Sequence, residues 1–226
     1  MLSPAESRQA LQLITANAVA DSQELVRRLR GPMDRQKTTL LEVVPALIGY
    51  YSEGSSALAA DFYELQRDQA RVVAAFAAVP VVAERSEKVR RAILWAADPL
   101  EVGEVGVTFG RMAEVIQLET ARPFRDTITG NRRRDPAAVG WRRISSGDGC
   151  KLCAMLADRG AVYKESTARF ATHPACRCIA QPVFGTNETG EEASALQYVA
   201  SSRSRTTAQR ANLRTYLNDF FPDNSG

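Results

Sequence analysis

All four cysteines and the one histidine of this 226-residue chain fall in two short stretches. Cys150-Lys-Leu-Cys153 is a C-x-x-C pair, and His173-Pro-Ala-Cys176-Arg-Cys178 supplies three further ligand atoms. Two residues between thiolates let both sulfurs of one tight turn face a common centre. A tetrahedral zinc ion accepts that geometry with Zn–S distances of about 2.3 Å. Pro174 stiffens the second turn and reduces the entropy lost in ordering it. Nineteen residues separate Cys153 from His173, a spacing typical of a zinc loop. Five candidates compete for four seats. Cys150, Cys153 and Cys176 are expected to take three, and His173 and Cys178 compete for the fourth, one sulfur of the C-x-C pair being expected to turn away.

Other uses of these residues are weaker. Four cysteines could pair as two disulfides, or stand as isolated small hydrophobes. The N-terminus MLSPAESRQA is polar and lacks the apolar core of a signal peptide. A reducing cytosol is therefore the expected place of synthesis, and there clustered cysteines bind metal more often than they form disulfides. A thioredoxin-like role lacks its βαβ pattern. With one histidine, an H-E-x-x-H protease is excluded. A nucleoside deaminase needs His-x-Glu ahead of its cysteines, whereas His173 follows Cys153. No phosphate-binding G-x-x-x-x-G-K-[ST] loop is present. A closed four-ligand site leaves no position for substrate, so the ion is expected to be structural and the protein not an enzyme.

The apolar fraction, 45%, and the charged fraction, 24%, are those of an ordinary soluble protein. The longest apolar runs, such as 72–80, are too short to span a bilayer, and no membrane is expected. Net charge is +3, but its distribution is uneven. Seven arginines (Arg122, Arg125, Arg132, Arg133, Arg134, Arg142 and Arg143) face only Asp126 and Asp135. Arg203, Arg205, Arg210 and Arg214 form a second stretch without an acid. Arginine forks suit phosphates and carboxylates, so these stretches read as contacts for nucleic acid or an acidic partner, or as solvated helix ends.

The elements that must position these groups divide by pattern. Ser3, Pro4 and Glu6 open a helix over 4–30, closed by Gly31-Pro32. Asp34 is placed as the cap of a second helix, kinked or divided by Pro45. Glu53-Gly54-Ser55-Ser56 reads as a turn. A helix over 57–79 follows, then a helical segment from 80 to 97. Asp98-Pro99 opens a fifth helix running toward Pro123. At 129–131 the texture changes and Gly, Pro, Cys and Arg become common. Strands are expected over 139–144 and 178–184, with Pro182 forcing an edge position. Short helices are expected over 152–159, 164–170, 193–201 and 206–220. The fold class is mainly α: an N-terminal helical unit over 1–130, then a small zinc-stabilised α+β unit with C-terminal helices over 131–226. The second unit is poor in large apolar residues, where a structural ion adds most.

The pieces Gly140-Trp141-Arg142-Arg143, Cys150-x-x-Cys153, 157–163 (ADRGAVY), His173-x-x-Cys176-x-Cys178 and Pro182-Val183-Phe184 together resemble the signature of MuF-like minor head proteins of tailed phages, of the kind found in phages of actinobacteria. The match spans about a fifth of the chain. The resemblance implies a virion component, built into the head near the portal, in contact with portal and other capsid proteins. It would lie in the capsid interior, or in the host cytoplasm during assembly, and act in head assembly or in packaging or ejection of double-stranded DNA. The family pattern has a second histidine where Ala175 stands, which leaves His173 as the sole imidazole and weakens a nuclease-like reading. A maturation-protease role, sometimes attached to the family, finds no machinery here. Two alternatives stand beside it: a sequence-independent DNA-binding module, and a toxin-like hydrolase or transferase delivered with the genome.

Overall fold

The structure, a computed structural model, describes residues 3–145, 151–158, 176–185 and 206–220. Among them are six α-helices and one two-stranded antiparallel sheet. Helix α1, Pro4–Arg28, begins as its sequence requires. The Ser3 hydroxyl accepts from the Glu6 backbone N–H at 3.2 Å, and the Glu6 carboxylate accepts from the Ser3 N–H at 2.6 Å. Two backbone donors at this end are thereby satisfied reciprocally. Its buried stripe is Ser7, Leu11, Thr15, Ala18, Ser22 and Val26, mostly small residues that let α2 and α4 approach closely.

Helix α2, Met33–Gln69, is continuous over 37 residues, which corrects three expectations. Asp34 is not the cap; Pro32 precedes the helix and Asp34 sits in its first turn, where its charge favours the positive helix end. Pro45 does not divide the helix, because it removes one N–H from a long ladder that tertiary packing holds on both sides. The expected turn at 53–56 is helical. Ser52, Ser55, Ser56, Ala59 and Ala60 are buried together, and the hydroxyls of Ser55 and Ser56 donate to the carbonyls of Ser52 and Glu53 at 3.2 and 2.9 Å. Burial of that small-residue face outweighs the turn preference of Gly and Ser.

The helix stops earlier than its apolar pattern implies. Arg71 takes a positive φ of 55° and the chain runs irregularly to α3, Ser86–Ala97. Val73 is 99% exposed rather than facing a core. The segment finds its backbone partners on α4, Val105–Arg134. Asn131 accepts from Val79 N–H at 2.9 Å and donates to its carbonyl at 2.8 Å, and Thr127 accepts from Val81 N–H at 2.8 Å. Two side chains one helical turn apart thus do for this stretch what a neighbouring strand would. Asp98-Pro99 opens a 3-10 turn, Asp98–Val102, not the fifth helix; Gly103, at φ 76°, closes it before α4 begins.

Helix α4 continues through Pro123 to Arg134, so the unit boundary expected near 130 falls inside it. Asp135 ends it and is buried. Its carboxylate pairs with Arg67 of α2 and accepts from the Tyr63 hydroxyl at 3.2 Å. Strands β1, Gly140–Ile144, and β2, Ile179–Val183, then pair with Trp141 opposite Pro182 and Arg143 opposite Ala180. Among the described residues each of the two strands is an edge, so Pro182 is tolerated. One core cluster joins α1, α2, α3 and α4 through Ala18, Leu40, Val44, Ile93, Met112 and Ile116. A second joins α2 and α4 to the sheet through Phe62, Tyr63, Phe124, Ile128, Trp141 and Ile179. Helices α5, Lys151–Asp158, and α6, Thr207–Phe220, follow the expected short helices closely. The helices expected over 164–170 and 193–201 lie outside the described residues. No helix among the described residues is long and apolar enough to cross a membrane.

Candidate metal centre

Cys153 stands on α5, and Cys176 and Cys178 stand on the stretch that leads into β2. All three are buried, at 2%, 4% and 1% exposure. Their sulfurs lie within 4.8 Å of one another, and Cys153 Sγ is 3.9 Å from Cys176 Sγ. A disulfide would need about 2.0 Å. Two thiolates of a tetrahedral zinc ion lie about 3.8 Å apart, as follows from Zn–S bonds of about 2.3 Å. The donor set and its spacing therefore fit a thiophilic ion.

Both sulfurs of the C-x-C pair face inward, and neither turns away as the sequence reading expected. Extended chain alternates faces, so residues two apart share one side. Cys176 and Cys178 share the inner side while Arg177 between them is exposed. Cys178 thus joins the cluster. The remaining candidates, Cys150 and His173, lie outside the described residues.

Two guanidiniums border the sulfurs. Arg143 on β1, 3% exposed, brings Nη1 to 4.0 Å from both Cys153 Sγ and Cys176 Sγ. Arg125 on α4, also 3% exposed, donates from Nε to the Cys178 carbonyl at 3.1 Å and from Nη2 to the Cys176 carbonyl at 3.0 Å. Among the thiols, hydrogen bonds from Cys153 and Cys178 hold Cys176 far below the ordinary thiol range, and the Arg125 charge adds to this. Hydrogen bonding to Cys176 and Cys178, with burial, pushes Cys153 up. Burial pulls the Arg125 guanidinium below its usual value, while the charges of Cys176 and Cys178 oppose that fall. Three buried sulfurs this close together could hold a metal ion.

A family model described as VG15 protein matches residues 3–211. The chain belongs to the VG15 protein family. Membership makes it a phage-related, virion-associated kind of protein, a coarser statement than the minor-head resemblance of its cysteine region. No curated protein and no solved structure matches the chain.

In this VG15 protein the seven arginines do not form one outward patch. Arg125 and Arg143 point at the cysteines. Arg122 lies 3.5 Å from Glu119, which Arg85 also grips with two hydrogen bonds of 2.8 and 3.0 Å. Arg132 donates to the Val139 carbonyl at 3.3 Å, and Arg142 to the Gln181 side chain at 2.9 Å. Arg134 bonds Asn131 at 2.9 Å and lies over the Phe76 ring. Arg133 and Arg134 are exposed at the end of α4. Strand alternation carried a signal for Arg143, which shares a face with buried Trp141. Nothing local in the sequence connects Arg125 to cysteines some fifty residues later.

Proposed function

We propose that this VG15 family member is a MuF-like minor head protein of a tailed phage, placed inside the head near the portal during assembly. Its role is to dock and hold, not to turn over a substrate. The α1–α4 bundle offers the docking body, and a structural zinc ion at Cys153, Cys176 and Cys178 fixes the region around the sheet. Either Cys150 or His173 completes the tetrahedron. When bound, the ion supplies cross-linking of α5 to the β2 lead-in and nothing that requires an open coordination position. The observation that carries this reading is the burial of three sulfurs within 4.8 Å of one another in a phage-family chain. Elemental analysis of the purified chain, and its co-purification with the portal protein of the same phage, test it. Absence of zinc from protein purified without chelator counts against the ion, and failure to retain portal counts against the docking role.

A contact with packaged DNA is the second reading, favoured by Arg133 and Arg134 at the exposed end of α4 and by Arg210 and Arg214 exposed on α6. Such contact would be independent of sequence and would weaken steeply with salt. An affinity that does not change between low and moderate salt rules it out.

A further inference from the structure

We infer that Arg125 and Arg143 are the outer shell of the metal site, one fixing its shape and the other its charge. The inference rests on the zinc reading above and goes beyond it, because it places the determinants of metal affinity outside the cysteine segments.

Three thiolates around a divalent ion carry a net negative charge, and burying that charge is costly unless an opposite charge lies close. Arg143 meets this need. Its Nη1 is equidistant, at 4.0 Å, from the sulfurs of Cys153 on α5 and Cys176 on the stretch leading into β2. N–H donors on ligand sulfurs are the thiolate form of the outer-shell contacts that tune metal sites.

Arg125 does something different. Its planar fork holds two carbonyls one residue apart, those of Cys176 and Cys178. That grip sets the backbone so that both sulfurs fall on one side. A lysine carries the same charge but has no fork with which to span two carbonyls. Because Arg125 belongs to α4, the cysteine turn is tied to the same helix that packs against α1, α2 and α3.

The two roles separate by substitution in the full-length chain. The probes are Zn(II), in competition with a chromophoric chelator, and Co(II), read through its thiolate charge-transfer band. Arg125→Lys and Arg143→Gln should each weaken Zn(II) binding about ten- to a hundredfold. Arg143→Lys, which keeps a charge near the sulfurs, should stay within a few-fold of the parent. Parent-like affinity in both Arg125→Lys and Arg143→Gln, with Cys153→Ser unable to bind, overturns the inference and leaves the zinc reading standing. A parent chain that takes up neither ion overturns both. Should Arg125→Lys fail to fold by circular dichroism, the contrast between Arg143→Gln and Arg143→Lys decides alone.

Discussion

Arg67 of α2 and Asp135 at the end of α4 form an ion pair almost wholly removed from water, with side-chain exposures of 5% and 1%. The Tyr63 hydroxyl donates to the same carboxylate, and the Arg67 guanidinium lies 4.9 Å from the centre of the Phe76 ring. The pair joins the C-terminal end of α2 to the chain that enters β1. Removing one partner leaves the other charge buried. Asp135→Ala should therefore cost about 3–5 kcal/mol, measured by urea denaturation. A loss below about 1 kcal/mol would mean that water reaches Arg67 in the variant.

The cysteine cluster predicts a response to chelation. An ion present at a thousand times its Kd contributes about 4 kcal/mol. For a chain of this size each kcal/mol moves the melting temperature by roughly 2–4 °C. Strong chelator should thus lower the melting temperature by roughly 8–16 °C, and Cys153→Ser should melt at the chelated value with or without chelator. An unchanged melt for Cys153→Ser would remove Cys153 from the ligand set.

Gly54 sits in the exposed interior of α2, and a Cβ placed there meets nothing within 4 Å. Its backbone is helical, so no left-handed conformation is being served. Gly54→Ala should raise stability by about 0.5–1 kcal/mol. Destabilisation instead would indicate that a partner packs against this face.

Tyr51 donates to the Asp21 carboxylate at 2.6 Å, linking α2 to α1. That hydrogen bond, helped by burial and by the negative charge, pushes the phenol up to about 12. The neutral form is the one favoured in the folded state. Its contribution is complete below pH of about 10, the unfolded value, and is lost as pH climbs through about 12. Phenolate absorbance should show Tyr51 ionising late in the native chain, with Tyr63, which burial beside Asp135 pushes up further, later still. Tyr51→Phe should remove the earlier of these two delayed steps, and a titration that Tyr51→Phe leaves unchanged contradicts the bond.

Much of the architecture was legible. Ser3, Pro4 and Glu6 placed the start of α1, both strands fall within the stretches 139–144 and 178–184 expected for them, and Lys151–Asp158 was anticipated within a residue. What escaped depended on distant partners. The 53–56 stretch looks like a turn until Ser55 and Ser56 are seen buried. The 70–85 stretch looks helical because Val72, Val73 and Phe76 are apolar, but its hydrogen bonds come from Thr127 and Asn131, about fifty residues on. At the cluster, the ligand types were legible, and the inward turn of Cys178 could have been read from its two-residue spacing to Cys176. The arginines were misleading, since charge alone does not tell a solvated side chain from one folded over sulfur.

Helix α4 runs unbroken from Val105 to Arg134, carrying bundle contacts along its length and the Arg125 fork near its middle. Tension applied between the bundle and the cysteine turn therefore meets a rod instead of a joint. Pulling them apart must first strip the Cys176 and Cys178 carbonyls from Arg125, so the molecule should yield in one abrupt rupture, with no slack taken up beforehand.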